Sequence, residues 1–255
     1  MKHKRSYVIC MSPRSGSTML CKMLSETGIA GHPDSFFHAP SVLKWLSSFD
    51  LDADNFDNEH SALKTIFEAA RNRGTRTTGV FGLRLQGQSL PLFLKQLKKL
   101  HPDQSNDRQR INTAFGETLF IHLTRTNKLD QAVSLVKAHQ SGLWHMATDG
   151  TEIERTAQPK PLVYDGVAIA RELKSMNALE EAWSEWFAEQ KLDPVQVTYA
   201  DLSEHPKATL ARILTALGQT IANVDEITIG VAKLADQINQ EWADRFRAEH
   251  SSKHR

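Results

Sequence analysis

The chain has 255 residues, with 31 Lys and Arg against 30 Asp and Glu, so its formal net charge is +1. Such a balance is not typical of proteins that bind nucleic acid or anionic membrane surfaces, and we expect neither as a partner. The length provides for a large hydrophobic core, and no linker rich in Pro, Gly or Ser divides the chain, which predicts one domain over residues 1–255.

Targeting signals are weak in this sequence. The basic residues 2–5 precede only a short apolar run, which lacks the length of a signal-peptide core, and no stretch is long enough to span a bilayer. The two cysteines, Cys10 and Cys21, have no metal-ligand spacing and fit a reducing compartment. We therefore expect a cytoplasmic protein that binds no metal.

The first predicted elements are a strand, a tight loop and a helix. Residues 7–11 form an apolar run typical of a buried strand, residues 12–17 are small and turn-forming, and a helix from residue 18 ends at Gly28. Free backbone N–H groups and the positive end of the helix dipole converge at such a junction, which makes it a candidate anion site. The candidate binding residues are Pro13, Arg14, Ser15, Gly16, Ser17 and Thr18. The alternative is an ordinary turn in which the serines only cap the helix.

This loop differs from a P-loop in an informative way. Gly16 and Thr18 fit the pattern G-x-x-x-x-G-K-[ST], but Met11 occupies the first glycine position and Ser17 the lysine position. The cation has moved to Arg14, whose planar fork of donors suits an edge of a phosphate or sulfate group. The missing lysine argues against a kinase or NTPase that binds a magnesium nucleoside triphosphate.

Residues 28–40 form a loop that contains two Gly and two Pro. In open α/β sheets such loops border the ligand crevice. Phe36 and Phe37, together with Asp34 and two histidines, fit a substrate wall that carries an acid or base. They fit equally well as core-filling aromatic residues with solvated histidines beside them, and both interpretations stay open.

The middle of the chain alternates helices with strands. Helices are predicted over residues 40–48, 61–73 and 90–100, and polar loops over 51–59 and 101–110. A strand over residues 78–85 places Arg84 near its end, where ligands bind in parallel sheets.

Residues 118–125 give the clearest later strand. They form a near-continuous apolar run, typical of a strand that is covered on both faces. The strand ends in Arg125, and Asn127 is placed to cap a following helix that contains Ser134. A buried strand that ends in an arginine before a helix start repeats the pattern of the first loop.

The last part of the chain completes the alternation. Residues 141–165 show no periodicity, and an irregular segment of this length is usually functional. A helix over 167–190, a strand over 194–199 and a helix over 202–217 follow, the last capped by Asp201 and ended by Gly218. This order predicts an α/β fold with a mostly parallel sheet.

Two motifs together resemble a known superfamily. The pairing of residues 13–18 with Arg125 and with Ser134, eight intervening residues later, resembles the sulfotransferases that use 3′-phosphoadenosine-5′-phosphosulfate. Further segments are similar to one bacterial branch, the trehalose 2-sulfotransferase-like family; they lie at residues 27–33, 36–37, 131–134, 235–237 and 241–242.

The resemblance implies a three-layer, P-loop NTPase-like α/β sandwich and transfer of a sulfuryl group from that co-substrate to a hydroxyl of a carbohydrate or glycolipid-type acceptor. It implies that the first loop holds the 5′-phosphosulfate, while Arg125 and Ser134 hold the 3′-phosphate. Arg14 lies where negative charge grows on the leaving phosphate. We expect a C-terminal segment with Gln237 and Trp242 to close over the nucleotide. The oligomeric state, a homodimer included, stays open.

One position departs from the family pattern. The family carries a glutamate immediately before the Phe-Phe pair, which the resemblance assigns as the base for the acceptor hydroxyl, and this chain has Ser35 there. We expect His38 to replace it in preference to Asp34, with His32 and His122 as further candidates. A family lysine in the second strand is replaced by Arg84. The departure at Ser35 also motivates an alternative function, nucleotide binding without catalysis.

Overall fold

A computed structural model describes residues 6–220, 224–228, 230 and 234–251. Its central sheet has four parallel strands in the order β2-β1-β3-β6. The strands are β1 Ser6–Met11, β2 Phe81–Gln86, β3 Thr118–Thr124 and β6 Val195–Thr198. The four predicted strands are therefore confirmed, with β1 in the interior of the sheet. Two shorter strands, β4 Leu143–Met146 and β5 Glu152–Arg155, form a separate antiparallel hairpin.

Helices connect the strands. They are α1 Ser17–Glu26, α2 Val42–Ser48, α3 Glu59–Thr75, α4 Leu90–Leu100, α5 Asp107–Phe115, α6 Lys128–Ser141, α7 Gly166–Glu189, α8 Tyr199–Glu204, α9 Pro206–Ala216 and α10 Gln237–Ser251. Short 3₁₀ turns lie at Ala53–Asn55, Gly87–Ser89 and Val224–Glu226. Within the described part of the chain, no helix combines the length and the apolar character needed to cross a membrane.

The sheet is covered on both faces, which confirms the predicted three-layer α/β sandwich. Because side chains alternate along a strand, Val8 and Cys10 of β1 face one apolar cluster, while Tyr7 and Ile9 face another. The first cluster contains aromatic side chains from α2 to α5 and from the end of α7. The second is formed with α1 and α9. Burial on both faces explains why β1 and β3 read as continuous apolar runs.

Some predicted boundaries are wrong. Helix α5 occupies part of the predicted loop 101–110, and the hairpin β4–β5 lies in the segment without periodicity. The predicted helix 202–217 is two helices that meet at His205. Thr198, not Asp201, caps the first of them, because its side chain accepts a hydrogen bond from the Asp201 N–H. The predicted cap at Asn127 is confirmed by its bond from the Asp130 N–H.

The C-terminal helix α10 packs against α6 and α7. Trp242 is buried in a cluster with Val133 and Val136 of α6 and Ile169 of α7. Near the start of α10, the Lys137 ammonium donates to the Asp236 carboxylate at 2.6 Å. Trp242 therefore fills a core between α6, α7 and α10.

Trp242→Phe should lower the free energy of unfolding by about 1–2 kcal/mol, because a smaller ring leaves a cavity between three helices. The affinity for adenosine 3′,5′-bisphosphate should stay unchanged, since the indole lies in this core. Urea unfolding and calorimetric titration measure the two quantities. Weaker nucleotide binding with unaltered stability would instead support the predicted closing segment.

Candidate active site

The loop that joins β1 to α1 has an unusual backbone. Arg14 adopts a φ of 62°, which costs a non-glycine residue on the order of 1 kcal/mol, and Gly16 follows with a φ of 88°. A Cβ at Gly16 would approach the Tyr199 ring to 2.7 Å. The position therefore needs glycine both for its backbone angle and for its contact with Tyr199.

Polar groups in this loop have unused hydrogen-bonding capacity. Gly16 is the N-cap of α1 and provides no side chain to accept from the first N–H groups of the helix. The Ser15 hydroxyl is buried and has no partner among the described residues. The serines thus do not cap the helix, which removes the basis for the ordinary-turn alternative. Gln131 holds the loop from the side, donating from Nε2 to the Pro13 carbonyl at 2.6 Å.

Arg14 projects from the loop towards α6 and the hairpin. Its Nε donates to Ser134 Oγ at 3.0 Å, and its Nη1 donates to the Trp144 carbonyl at 2.6 Å. Burial, and then the nearby charge of Arg125, lower the pKa of the Arg14 guanidinium. Two buried cations that repel each other favour an anion between them.

Arg125 follows directly after β3. Its guanidinium carbon lies 4.7 Å from the centre of the Tyr199 ring, a cation–π contact. Burial lowers its pKa as well. Within residues 6–220, 224–228, 230 and 234–251, no hydrogen bond or ion pair holds this guanidinium, so its donors are available to a ligand.

A third arginine, Arg84 of β2, connects Thr18 at the start of α1 with Ser35, the position at which this chain differs from the family pattern. Its Nε donates to Ser35 Oγ at 2.7 Å, its Nη1 to Thr18 Oγ1 at 3.0 Å and its Nη2 to Asp34 Oδ1 at 3.2 Å. The fork thus fixes the chain around Ser35 against the start of α1. A lysine has a single ammonium and lacks this planar geometry.

These groups surround a cavity of about 800 Å³ at the carboxyl ends of the strands. Three arginines line it against two glutamates, Glu154 and Glu172, so the net charge of its wall is positive. The sequence-predicted residues that line it are Pro13, Arg14, Gly16, Ser17, Thr18, Ser35, His38, Arg125 and Ser134. The structure therefore brings both predicted phosphate motifs to one cavity.

Other predicted residues lie elsewhere. Asp34 and His32 line a neighbouring cavity of about 520 Å³, with Ser35 between the two cavities. His122 is buried beside Gln196 and Glu180 and does not line the large cavity. Gln237 is exposed, bonds to Glu241 at 2.8 Å and also lies outside that lining.

A partly buried ionic network supports the start of α6. The Glu180 carboxylate accepts from Lys128 at 2.7 Å and from Thr124 at 2.8 Å, and it lies 3.2 Å from the His122 ring. Although burial opposes ionisation, these hydrogen bonds lower the pKa of Glu180 to about 2. The network fixes the residues on either side of Arg125.

Sequence reasoning missed the residues that the hairpin contributes. The His145 Nε2 atom lies 3.0 Å from Thr18 Oγ1 and 3.4 Å from Glu154 Oε2. Burial, followed by the charges of Arg14, Arg84 and Lys22, lowers the pKa of His145 to about 4. The only sequence signal was an aromatic and a histidine in a long segment without periodicity. Tyr199 was also missed, since it was placed at the end of a strand.

Comparison with known proteins identifies the family. The family model described as Stf0 sulphotransferase matches residues 6–249. The chain is 33% identical to a trehalose 2-sulfotransferase of Mycobacterium tuberculosis, over 96% of this chain and 95% of that protein. It is 29% identical to a trehalose 2-sulfotransferase of Mycolicibacterium smegmatis, with the same coverage. A crystal structure of a sulfotransferase from Alicyclobacillus acidocaldarius aligns with a TM-score of 0.46 at 11% identity, covering 98% of this chain and 93% of that one. The match over nearly the whole chain shows that this protein belongs to the Stf0 sulphotransferase family.

Proposed function

We propose that this protein transfers a sulfuryl group from 3′-phosphoadenosine-5′-phosphosulfate to a hydroxyl of a trehalose-type sugar. The observation that carries the proposal is the convergence of Arg14, Arg125 and Ser134 on one cavity, beside a loop with unused donors. Membership of the sulphotransferase family supports the reaction type. The names of the two mycobacterial relatives support the class of acceptor.

The residues present fit a nucleotide that carries two separated anionic groups. The N–H groups at the start of α1 and the buried Ser15 hydroxyl fit the 5′-phosphosulfate, because they have no acceptor within the described chain. The available fork of Arg125, with Ser134 nearby, fits the 3′-phosphate. Arg14 belongs to the first loop and donates a hydrogen bond to Ser134, so it connects the two sets of binding residues.

The donor supplies an activated sulfuryl group, and the chain supplies charge and orientation. Negative charge grows on the bridging oxygen of the leaving phosphate during transfer, and Arg14 with the loop N–H groups would stabilise it there. Arg125 is remote from the reacting bond, so its contribution is to hold the nucleotide in place. Ser17 at the lysine position of a P-loop leaves the loop without the cation that a kinase uses.

The proton acceptor on the wall next to Ser35 is His38 in the sequence-based prediction. His38 lines the cavity, and its Nδ1 lies 3.4 Å from Ser89 Oγ. Partial burial, followed by the charge of Arg84, lowers its pKa, which favours the neutral ring that can accept a proton. The Asp34 carboxylate is held by Arg84 and faces the smaller cavity, which makes it less suited to the role.

Calorimetric titration tests the donor assignment. Adenosine 3′,5′-bisphosphate should bind with a Kd at least about tenfold lower than that of magnesium ATP, because ATP lacks a 3′-phosphate for Arg125. The reverse order would favour the P-loop kinase alternative. Turnover with the phosphosulfate donor and a panel of sugars then separates an enzyme from a protein that only binds the nucleotide.

Two further properties are proposed on the sequence alone. They are a single domain over residues 1–255 and a cytoplasmic location. The oligomeric state stays open, and sedimentation equilibrium of the full chain distinguishes a monomer from a homodimer.

A further inference from the structure

We propose that His145, paired with Glu154 across the hairpin β4–β5, accepts the proton of the acceptor hydroxyl in the role that Ser35 leaves vacant. This inference rests on the proposed sulfuryl transfer and adds the residue that completes it. It moves the base from the loop around residue 35 to the hairpin β4–β5, which lines the same cavity.

The position of His145 carries the inference. Its Nε2 lies 3.0 Å from Thr18 Oγ1, in the first turn of the helix whose start forms the candidate anion site. His38, by comparison, has its Nδ1 near the Ser89 hydroxyl at 3.4 Å. The ring of His145 is therefore the imidazole held against the loop that would bind the reacting end of the donor.

Glu154 is the carboxylate beside the His145 ring. Its Oε2 lies 3.4 Å from His145 Nε2, and both side chains line the cavity. Because Thr18 and Glu154 both lie at Nε2, a hydrogen on that nitrogen leaves the lone pair of Nδ1 to accept the proton. A carboxylate at this distance stabilises the imidazolium that forms when the ring accepts a proton. Glu154 acts through His145 and is a positioning residue.

The hairpin that carries both groups is fixed at its base. The Trp144 carbonyl accepts from Arg14, and the Trp144 ring lies edge-on to His139 of α6 with centroids 5.1 Å apart. Trp144 also donates from Nε1 to Thr156 Oγ1 at 2.9 Å. These contacts tie the histidine to the same arginine that would stabilise the leaving group.

Arg84 explains why the base has moved. Its guanidinium occupies the space beside Ser35, with Nε 2.7 Å from the serine hydroxyl. The longer side chain of a glutamate at residue 35 would compete for space with this planar fork, which the single ammonium of the family's lysine lacks. Serine accommodates the arginine, and the proton needs another acceptor.

The step balances as a single displacement. The hydroxyl oxygen of the sugar bonds to sulfur, while the bond from sulfur to the bridging oxygen of the donor breaks. The electron pair leaves with adenosine 3′,5′-bisphosphate. The hydroxyl proton goes to the imidazole of His145, which returns it to solvent once the products have left.

The charges around His145 couple the base to donor binding. Arg14, Arg84 and Lys22 face it and hold its pKa low, and Glu154 is the carboxylate opposite. An anionic donor neutralises part of the arginine charge, so its arrival raises the pKa of His145 towards the working pH. The ring becomes an effective base only when the sulfuryl donor is present.

The test uses the full chain with the phosphosulfate donor and trehalose as the acceptor probe. His145→Asn should lower kcat by about 10²–10³-fold with the bisphosphate affinity retained, because general bases contribute about 10²–10⁴. Glu154→Gln should lower kcat by about tenfold and shift the acidic limb of the pH profile. Glu185→Gln, an exposed glutamate on α7, is the matched control. Ser35→Glu combined with Arg84→Lys should restore part of the rate to His145→Asn.

A second measurement needs no acceptor. NMR titration of His145 should show a higher pKa in the presence of adenosine 3′,5′-bisphosphate than without it. An unchanged pKa in a protein that binds the bisphosphate overturns the inference, as does full activity of His145→Asn. Loss of activity in His38→Ala but not in His145→Asn assigns the base to His38 instead. Failure of the wild-type protein to bind the bisphosphate would refute the proposed function itself.

Discussion

Arg14→Ala should lower kcat by about 10²–10³-fold, since it removes the cation that we propose to stabilise the charge growing on the leaving phosphate. The guanidinium is partly buried, and a charge acts more strongly there than in open solvent. The substitution also removes the bonds to Ser134 and to the Trp144 carbonyl, which tie the loop to α6 and to the hairpin. Initial-rate kinetics at saturating donor and acceptor measure the loss.

A second variant separates chemistry from damage to the loop. Arg14→Gly removes the same guanidinium, but glycine adopts the φ of 62° without strain, so the loop keeps its shape. Both variants should be similarly slow, whereas Arg71→Ala, an exposed arginine on α3, should behave as wild type. Recovery of the rate in Arg14→Gly would mean that the loop conformation, and not the cation, limits catalysis.

Arg125→Ala should weaken adenosine 3′,5′-bisphosphate by about 1.5–3 kcal/mol, or about 10–150-fold in Kd, because a charged hydrogen bond is lost. Adenosine 5′-phosphate lacks the 3′-phosphate and should lose much less affinity. The informative quantity is the difference between the losses of binding free energy for the two nucleotides. A general change in the cavity affects both losses equally and therefore does not contribute to it. Calorimetric titration of both nucleotides provides it.

The control for this pair of titrations is Arg108→Ala, an exposed arginine on α5. It should bind both nucleotides as the wild-type protein does. Equal weakening of the two ligands by Arg125→Ala would contradict the assignment of this residue to the 3′-phosphate. The contact of Arg125 with the Tyr199 ring would then be its main role.

The sheet could be predicted because the burial of its strands is visible in their apolar composition. Residues 7–11 and 118–124 are covered on both faces, so apolar side chains are not confined to alternate positions, and Leu119, Phe120 and Ile121 follow one another directly. The turn between β1 and α1 could be predicted for a related reason. Its glycine and serines are required by local backbone geometry, which depends little on distant parts of the chain.

The hairpin could not be predicted from the same signals. Strands β4 and β5 have four residues each, and their pairing contains register shifts. All of their residues are partly buried or exposed, so the two strands show neither an apolar run nor a clean alternation. Helix α5 was missed because only Arg110, Ile111 and Phe115 of its nine residues are buried.

The role of Trp242 depends on contacts that no local pattern contains. Its partners Val133 and Ile169 lie far away in sequence, on helices that meet α10 only in the folded chain. The residue was therefore assigned to a closing segment. The break between α8 and α9 is similar, because the sequence gives a helical pattern on both sides of His205 while Pro206 begins a new helix.

The interior position of β1 affects how the protein is made. Ser6 pairs with Thr118, 112 residues later in the chain, so β1 leaves the ribosome well before its partner β3 exists. At a translation rate of about 5–20 residues per second, the side of β1 that pairs with β3 has no partner for roughly 6–20 seconds. During this time β1 is open to chaperones and to incorrect pairing. Tyr199, which packs on Gly16, is synthesised later still. The loop between β1 and α1 is thus translated long before Tyr199, against which it packs, and reaches its final shape only after Tyr199 has been made.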